Sequence, residues 1–72
     1  MEKQDVFQEM ADKWPSAIVA RTEISKFSGG MLSAKYCANL DSLGEGPERF
    51  SVGRKVAYPV QSLIQWLRDR TN

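Results

Sequence analysis

The chain has 72 residues, enough for one small domain. With 42% hydrophobic and 26% charged residues it has the composition of a folded chain, and its net charge of +1 names no polyanionic partner by itself. Histidine is absent and cysteine occurs once, at Cys37, which excludes histidine acid–base chemistry, Ser-His-Asp and Cys-His pairs, an internal disulfide and the ordinary zinc frameworks.

A domain of this size buries only about 60% of its unfolded surface. A catalytic cleft would take volume from that small core. The expectation is a binding protein with no catalytic residues, no metal, no cofactor and no small-molecule substrate. No apolar run approaches the length of a membrane span, and no apolar leader follows the polar start Met1-Glu2-Lys3-Gln4-Asp5. A lone thiol fits a reducing compartment, so the expected setting is the cytoplasm.

Phe7, Met10 and Trp14 fall at i, i+3 and i+7 with Val6 beside them, which predicts an N-terminal helix within residues 1–14. Glu2, Asp5 and Glu9 suit its positive end. Pro15 disfavours helical backbone at Trp14, so the helix should stop near Lys13 and leave Trp14 as a lid on the core. Ala17-Ile18-Val19-Ala20 reads as a brief strand. Thr22 then reads as the N-cap of a short helix starting at Glu23, with Ile24 and Phe27 inward and Ser28-Gly29-Gly30 as its stop.

Ser33 reads as the N-cap of the next helix, with Leu32 and Cys37 at the two positions of a hydrophobic staple. By helical angle, Tyr36, Cys37, Leu40 and Leu43 form an inner stripe, and Lys35, Ala38, Asn39 and Ser42 an outer one. Asp41 lies off the outer stripe, and Cys37 reads as a small core hydrophobe. Residues 22–43 thus make a helix-turn-helix candidate. After Gly44-Glu45-Gly46-Pro47, residues 50–58 read as a hairpin. A three-residue loop, Gly53-Arg54-Lys55, is favoured over a Gly53-Arg54 turn. It pairs Val52 with Val56 and Phe50 with Tyr58, gathers four apolar side chains, and leaves both cations at the tip. Val60, Leu63, Ile64 and Leu67, widened by Trp66, predict a closing helix over residues 60–70 with Arg68 and Arg70 in its last turn.

The expected architecture is therefore mostly α with a small β-hairpin, a winged helix-turn-helix in a single domain. Its logic as a DNA binder is physical. A helix fits the major groove, where Asn39 can bond adenine, Lys35 guanine or a phosphate, and Ala38 a thymine methyl, with Ser42 further along. Lys26, Ser33, Tyr36, Arg49, Arg54 and Lys55 are the expected phosphate contacts. Residues 49–58 carry three cations and no acid, whereas residues 1–16 carry four acids against two lysines, so the hairpin should face the phosphates. The same features admit another reading: a polar stripe is also how a solvated helix face looks, and a basic tip protects a sheet edge. The alternative is a protein-interaction module using Trp14, Trp66 or the acidic first helix, without direct DNA contact.

Four stretches carry a resemblance: Ala20-Arg21-Thr22-Glu23-Ile24, Ala38 through Pro47, Gly53-Arg54-Lys55-Val56-Ala57-Tyr58, and Ser62-Leu63-Ile64-Gln65-Trp66-Leu67. Together they resemble the AlpA-like and excisionase-like prophage regulators, small bacterial and phage proteins with a winged helix-turn-helix of MerR type. The likeness spans residues 18–70. It implies binding of double-stranded DNA by the second helix and the wing, through Asn39, Arg54 and Lys55, to assist prophage excision or regulate transcription. A phage integrase, or further copies of the chain on the same DNA, are the other partners it implies. Two departures stand out: the turn from Ser28 to Leu32 is longer than the family's shortest, and Lys35 is the recognition helix's lone cation. They imply modest affinity for a single copy and cooperative binding at neighbouring sites.

Overall fold

In the computed structural model, which describes residues 5–71, the order is α1 (Val6–Lys13), β1 (Ile18–Ala20), a 3-10 turn (Arg21–Glu23), α2 (Ile24–Phe27), α3 (Ala34–Ser42), β2 (Phe50–Val52), β3 (Lys55–Pro59) and α4 (Val60–Arg70). The described residues form an α+β domain of four α-helices and a three-stranded antiparallel sheet.

Asp5 caps α1, its side chain accepting from the Gln8 amide at 3.2 Å; Glu2, expected at this helix start, lies outside the described residues. The helix ends at Lys13 because Trp14, preceding proline, is extended (φ −81°, ψ 129°). Eight residues are too few to hold a helix alone. Tertiary contacts supply the rest: Phe7, Met10 and Ala11 pack on the core, and Arg68 bonds Asp5 at 2.8 Å while lying over the Phe7 ring. Trp14 stands edge-on to Phe27, ring centroids 5.3 Å apart, as the expected lid.

The predicted hairpin is two strands of the larger sheet, ordered β1-β3-β2, and its register differs from expectation. Val52 faces Lys55, Ser51 faces Val56 and Phe50 faces Ala57, so Gly53-Arg54 is a two-residue turn and Lys55 begins β3 rather than sitting in the loop. The apolar pairing argument fails because every β2 residue is exposed; aligning Phe50 with Tyr58 would bury nothing. Turn geometry decides instead. Gly53 takes φ +62° at the first central position, and Arg54 keeps negative φ, the pattern of a tight hairpin turn that matches strand twist. Tyr58 finds its apolar neighbour on the opposite side, in β1, where Val19 faces it and both are fully buried. The outer edge of β1 is closed as well: Trp14 Nε1 donates to the Ile18 carbonyl at 2.8 Å, and the Ile18 amide donates to Ser16 Oγ at 3.2 Å.

Thr22 is not a helix cap. The chain leaves β1 directly into the 3-10 turn, so the last extended residue is Ala20 (φ −65°, ψ 144°), which has no side-chain acceptor, and α2 follows without a side-chain cap bond. Ile24 and Phe27 are buried as expected. The stop at Ser28-Gly29-Gly30 is a Schellman motif, with the Gly30 amide on the Ser25 carbonyl at 2.8 Å. Ser28 Oγ then accepts from the Leu32 amide at 2.9 Å, which steadies the long turn into α3.

Ser33 does cap α3, accepting from the Tyr36 amide at 3.0 Å, and Leu32 and Cys37 are both in the core as a staple requires. The inner stripe is displaced, however. Cys37 and Leu40 are buried, but Tyr36 and Leu43 are 44% and 68% exposed, and the third buried residue of the helix is Asp41. A second Schellman motif ends α3, the Glu45 amide bonding the Leu40 carbonyl at 2.9 Å. α4 buries Val60, Leu63 and Ile64, and Trp66 ties it to the preceding loop by donating Nε1 to the Glu45 carbonyl at 3.1 Å. Among the described residues no helix is long and apolar enough to cross a membrane.

Candidate nucleic-acid interface

α3 presents Lys35, Asn39 and Ser42 to solvent, with Ala38 half-buried between them. Among the described residues, the side chains of Lys35 and Asn39 have no hydrogen-bond or ion-pair partner. Ser42 is different: its hydroxyl donates back to the Asn39 carbonyl at 2.9 Å, so its proton is committed to its own helix. The six expected phosphate contacts fall into four places. Ser33 and Tyr36 share the first turn of α3, Arg49 sits at the other end of that helix, Arg54 and Lys55 lie side by side at the hairpin turn, and Lys26 stands apart on α2. Lys26, Arg54 and Lys55 are exposed.

Arg49 has a neighbour that helical periodicity does not reveal. Its guanidinium lies 3.8 Å from Asp41 Oδ1, with the arginine side chain 45% exposed and the aspartate 4%. Asp41 is the centre of a polar cluster. Its Oδ2 accepts from the Tyr58 hydroxyl at 2.8 Å and from Arg21 Nη2, while Arg21 Nε donates to Tyr58 Oη at 3.1 Å. Three elements are thereby joined: the 3-10 turn, α3 and β3. The other oxygen, Oδ1, is buried and accepts no hydrogen bond from the described residues.

The cluster's acid–base behaviour follows from its burial. Removal from water pushes the Tyr58 hydroxyl up to about 12. The hydrogen bond to Tyr58 raises Arg21 further above its ordinary value. Burial raises the Cys37 thiol too, and the nearby Asp41 charge adds to it, so this sulfur stays protonated and inert. No group of three or more His, Cys, Asp or Glu among the described residues is arranged to hold a metal.

Neither Arg21 nor Tyr58 stands out in the sequence as a site residue. The available signal was Asp41 itself: an acid on the inner side of an amphipathic helix requires a cation and further donors to meet it.

A separate concavity of about 1100 Å³ opens between α1, β1 and α2, walled by Phe7, Met10, Trp14, Ile18, Phe27 and Met31. It takes no wall from α3 or the hairpin. No family model, curated protein or solved structure matches the chain.

Proposed function

We propose that the chain is a double-stranded DNA-binding protein of the winged helix-turn-helix kind, with α3 as recognition helix in the major groove and the Arg54-Lys55 turn as a wing on the phosphates. The resemblance to AlpA-like and excisionase-like regulators puts its role in prophage excision or transcriptional control. One observation carries the reading: Asp41 is the lone acid of α3, and it is turned inward and paired with Arg21, so the outward face of the helix itself carries Lys35 and Asn39 and no acid.

The test is duplex binding by fluorescence anisotropy across a salt series. With about four phosphates engaged, log K should fall against log salt with a slope near −3.6. Arg54→Ala should weaken binding to every sequence alike, and Asn39→Ala should relax preference at one base position. A slope near zero refutes DNA binding, and an unchanged sequence preference in Asn39→Ala refutes the placement of α3.

The apolar concavity beside α1, with Met31 84% exposed at its margin, favours a second reading, in which a protein partner docks there without DNA contact. Chemical-shift mapping with a mixed duplex separates the two. Shifts confined to α1 and its groove, with residues 33–58 silent, favour the second reading.

A further inference from the structure

Two guanidinium groups converge on one carboxylate at the C-terminal end of α3: Arg21 holds Asp41 Oδ2, and Arg49 approaches Oδ1 at 3.8 Å. The trio carries a net charge of +1. Arg21 spends its Nε and one Nη2 hydrogen on Tyr58 and Asp41, which leaves Nη1 unused, and its side chain is 25% exposed. Arg49 donates no hydrogen bond to the described residues. Donors are therefore left over on both arginines, while Asp41 Oδ1 is a buried acceptor left unfilled. A guanidinium is planar, with donors on two edges, so one edge can serve a carboxylate while the other serves a phosphate. Two exposed acids near Arg49 in the chain oppose an anion here, Glu45 and Glu48, the latter also accepting from the Ser62 hydroxyl at 3.0 Å; the clamp has to outweigh both.

We infer that Arg21 and Arg49, gathered on Asp41, form a phosphate clamp at the end of α3, in which Arg49 closes onto Asp41 Oδ1 while its outer edge takes a DNA phosphate. Asp41 is the positioning residue: it never meets the DNA, yet it sets where both arginines point. The clamp rests on the DNA-binding reading above and deepens it: Arg49, already an expected phosphate contact, is held with Arg21 by Asp41 at the far end of the recognition helix, opposite Ser33 and Tyr36. Arg21 thereby acquires a role beyond stability. The arrangement also gives the buried orphan oxygen a hydrogen-bond partner, the absence of which is costly for a buried acceptor.

The test uses the full chain and a pool of mixed-sequence duplexes, with salt-dependent anisotropy for the wild type, Arg49→Ala, Arg49→Lys and Asp41→Asn. Loss of one phosphate contact in Arg49→Ala should make the slope of log K against log salt shallower by about 0.9. Arg49→Lys should restore the slope but not the full affinity, because an ammonium cannot serve both edges. Asp41→Asn separates positioning from simple charge. Removing an anion near DNA tightens binding on Coulomb grounds alone, whereas loss of the tether weakens it.

We expect weaker binding by Asp41→Asn and a slope matching that of Arg49→Ala. Tighter binding by Asp41→Asn, or a wild-type slope in Arg49→Ala, overturns the clamp. If Asp41→Asn does not fold, the Arg49 pair decides alone. A clamp that fails while Arg54→Ala still weakens binding leaves the DNA reading intact; a wild-type slope near zero refutes both.

Discussion

Gly46 is the position at which a single methyl group should do the most damage. A Cβ built there collides with Asp41 Oδ1 and comes within 3.2 Å of its Cγ and 3.4 Å of its amide nitrogen. Two escapes exist. Asp41 can swing away, which forfeits its bonds from Arg21 and Tyr58, each charge-assisted and worth about 1.5–3 kcal/mol. Alternatively the loop from Gly44 to Glu48 can lift, which breaks the Trp66 bond to the Glu45 carbonyl, about 1 kcal/mol, and adds overpacking strain of about 1–3 kcal/mol. The second route is cheaper, so Gly46→Ala should destabilise by about 3 kcal/mol.

A chain of 72 residues has roughly 4–10 kcal/mol in total at about 0.05–0.15 kcal/mol per residue. The loss is thus a large share of stability, visible as a fall in Tm of roughly 12–24 °C by circular dichroism. The control is the same change in an Arg21→Met/Asp41→Ala background, where the colliding atom is gone and the buried pair has been replaced by apolar groups. Gly46 has no positive φ, so there the added methyl should be neutral or stabilising, by up to about 1 kcal/mol through the unfolded chain. A loss below about 1 kcal/mol in the wild type, or an equal loss in both backgrounds, refutes the steric argument.

Tyr58→Phe removes the donor to Asp41 and the acceptor for Arg21, and should cost about 1–3 kcal/mol in urea unfolding. The same hydroxyl makes the protein alkali-sensitive. Its folded value near 12 exceeds the ordinary 10, so the folded state binds the proton more tightly. That contribution is fully present below pH 10 and is lost as pH rises toward 12, a decline that Tyr58→Phe should lack; tyrosinate absorbance reads the titration. Ser33→Ala deletes the cap bond to the Tyr36 amide and should cost about 1 kcal/mol in thermal unfolding. Cys37 should react with an aromatic disulfide reagent only as fast as the fold opens, so its labelling rate should rise in every destabilised variant named above; rapid labelling of the native chain would contradict its burial.

Local chemistry was the legible part of this chain. Pro15 after Trp14, the Ser33 cap with its Leu32–Cys37 staple, the two glycine-rich stops and the apolar stripe of α4 each act within a few residues, and the fold has them where local rules put them. The outward placement of Lys35 and Asn39 was legible for the same reason, since helical angle alone sets it. What escaped was decided at long range. The hairpin register rests on turn geometry because β2 is exposed and no core demands a given face. The inner face of α3 turned toward Asp41 because a cation twenty residues earlier and a hydroxyl seventeen residues later meet there. Polar pairing of that kind has no period along a sequence. Thr22 failed as a cap for a related reason: the chain had already turned before reaching it.

Trp14 has two duties that cannot be separated. Its ring seals the core against Phe27, and its indole nitrogen occupies the Ile18 carbonyl on the open side of β1. A chain whose first helix peels away therefore loses its lid and uncovers a bare strand margin in one step, and that margin is the kind of surface on which unfolding chains pair with one another. Protecting this indole protects the molecule against self-association as much as against melting.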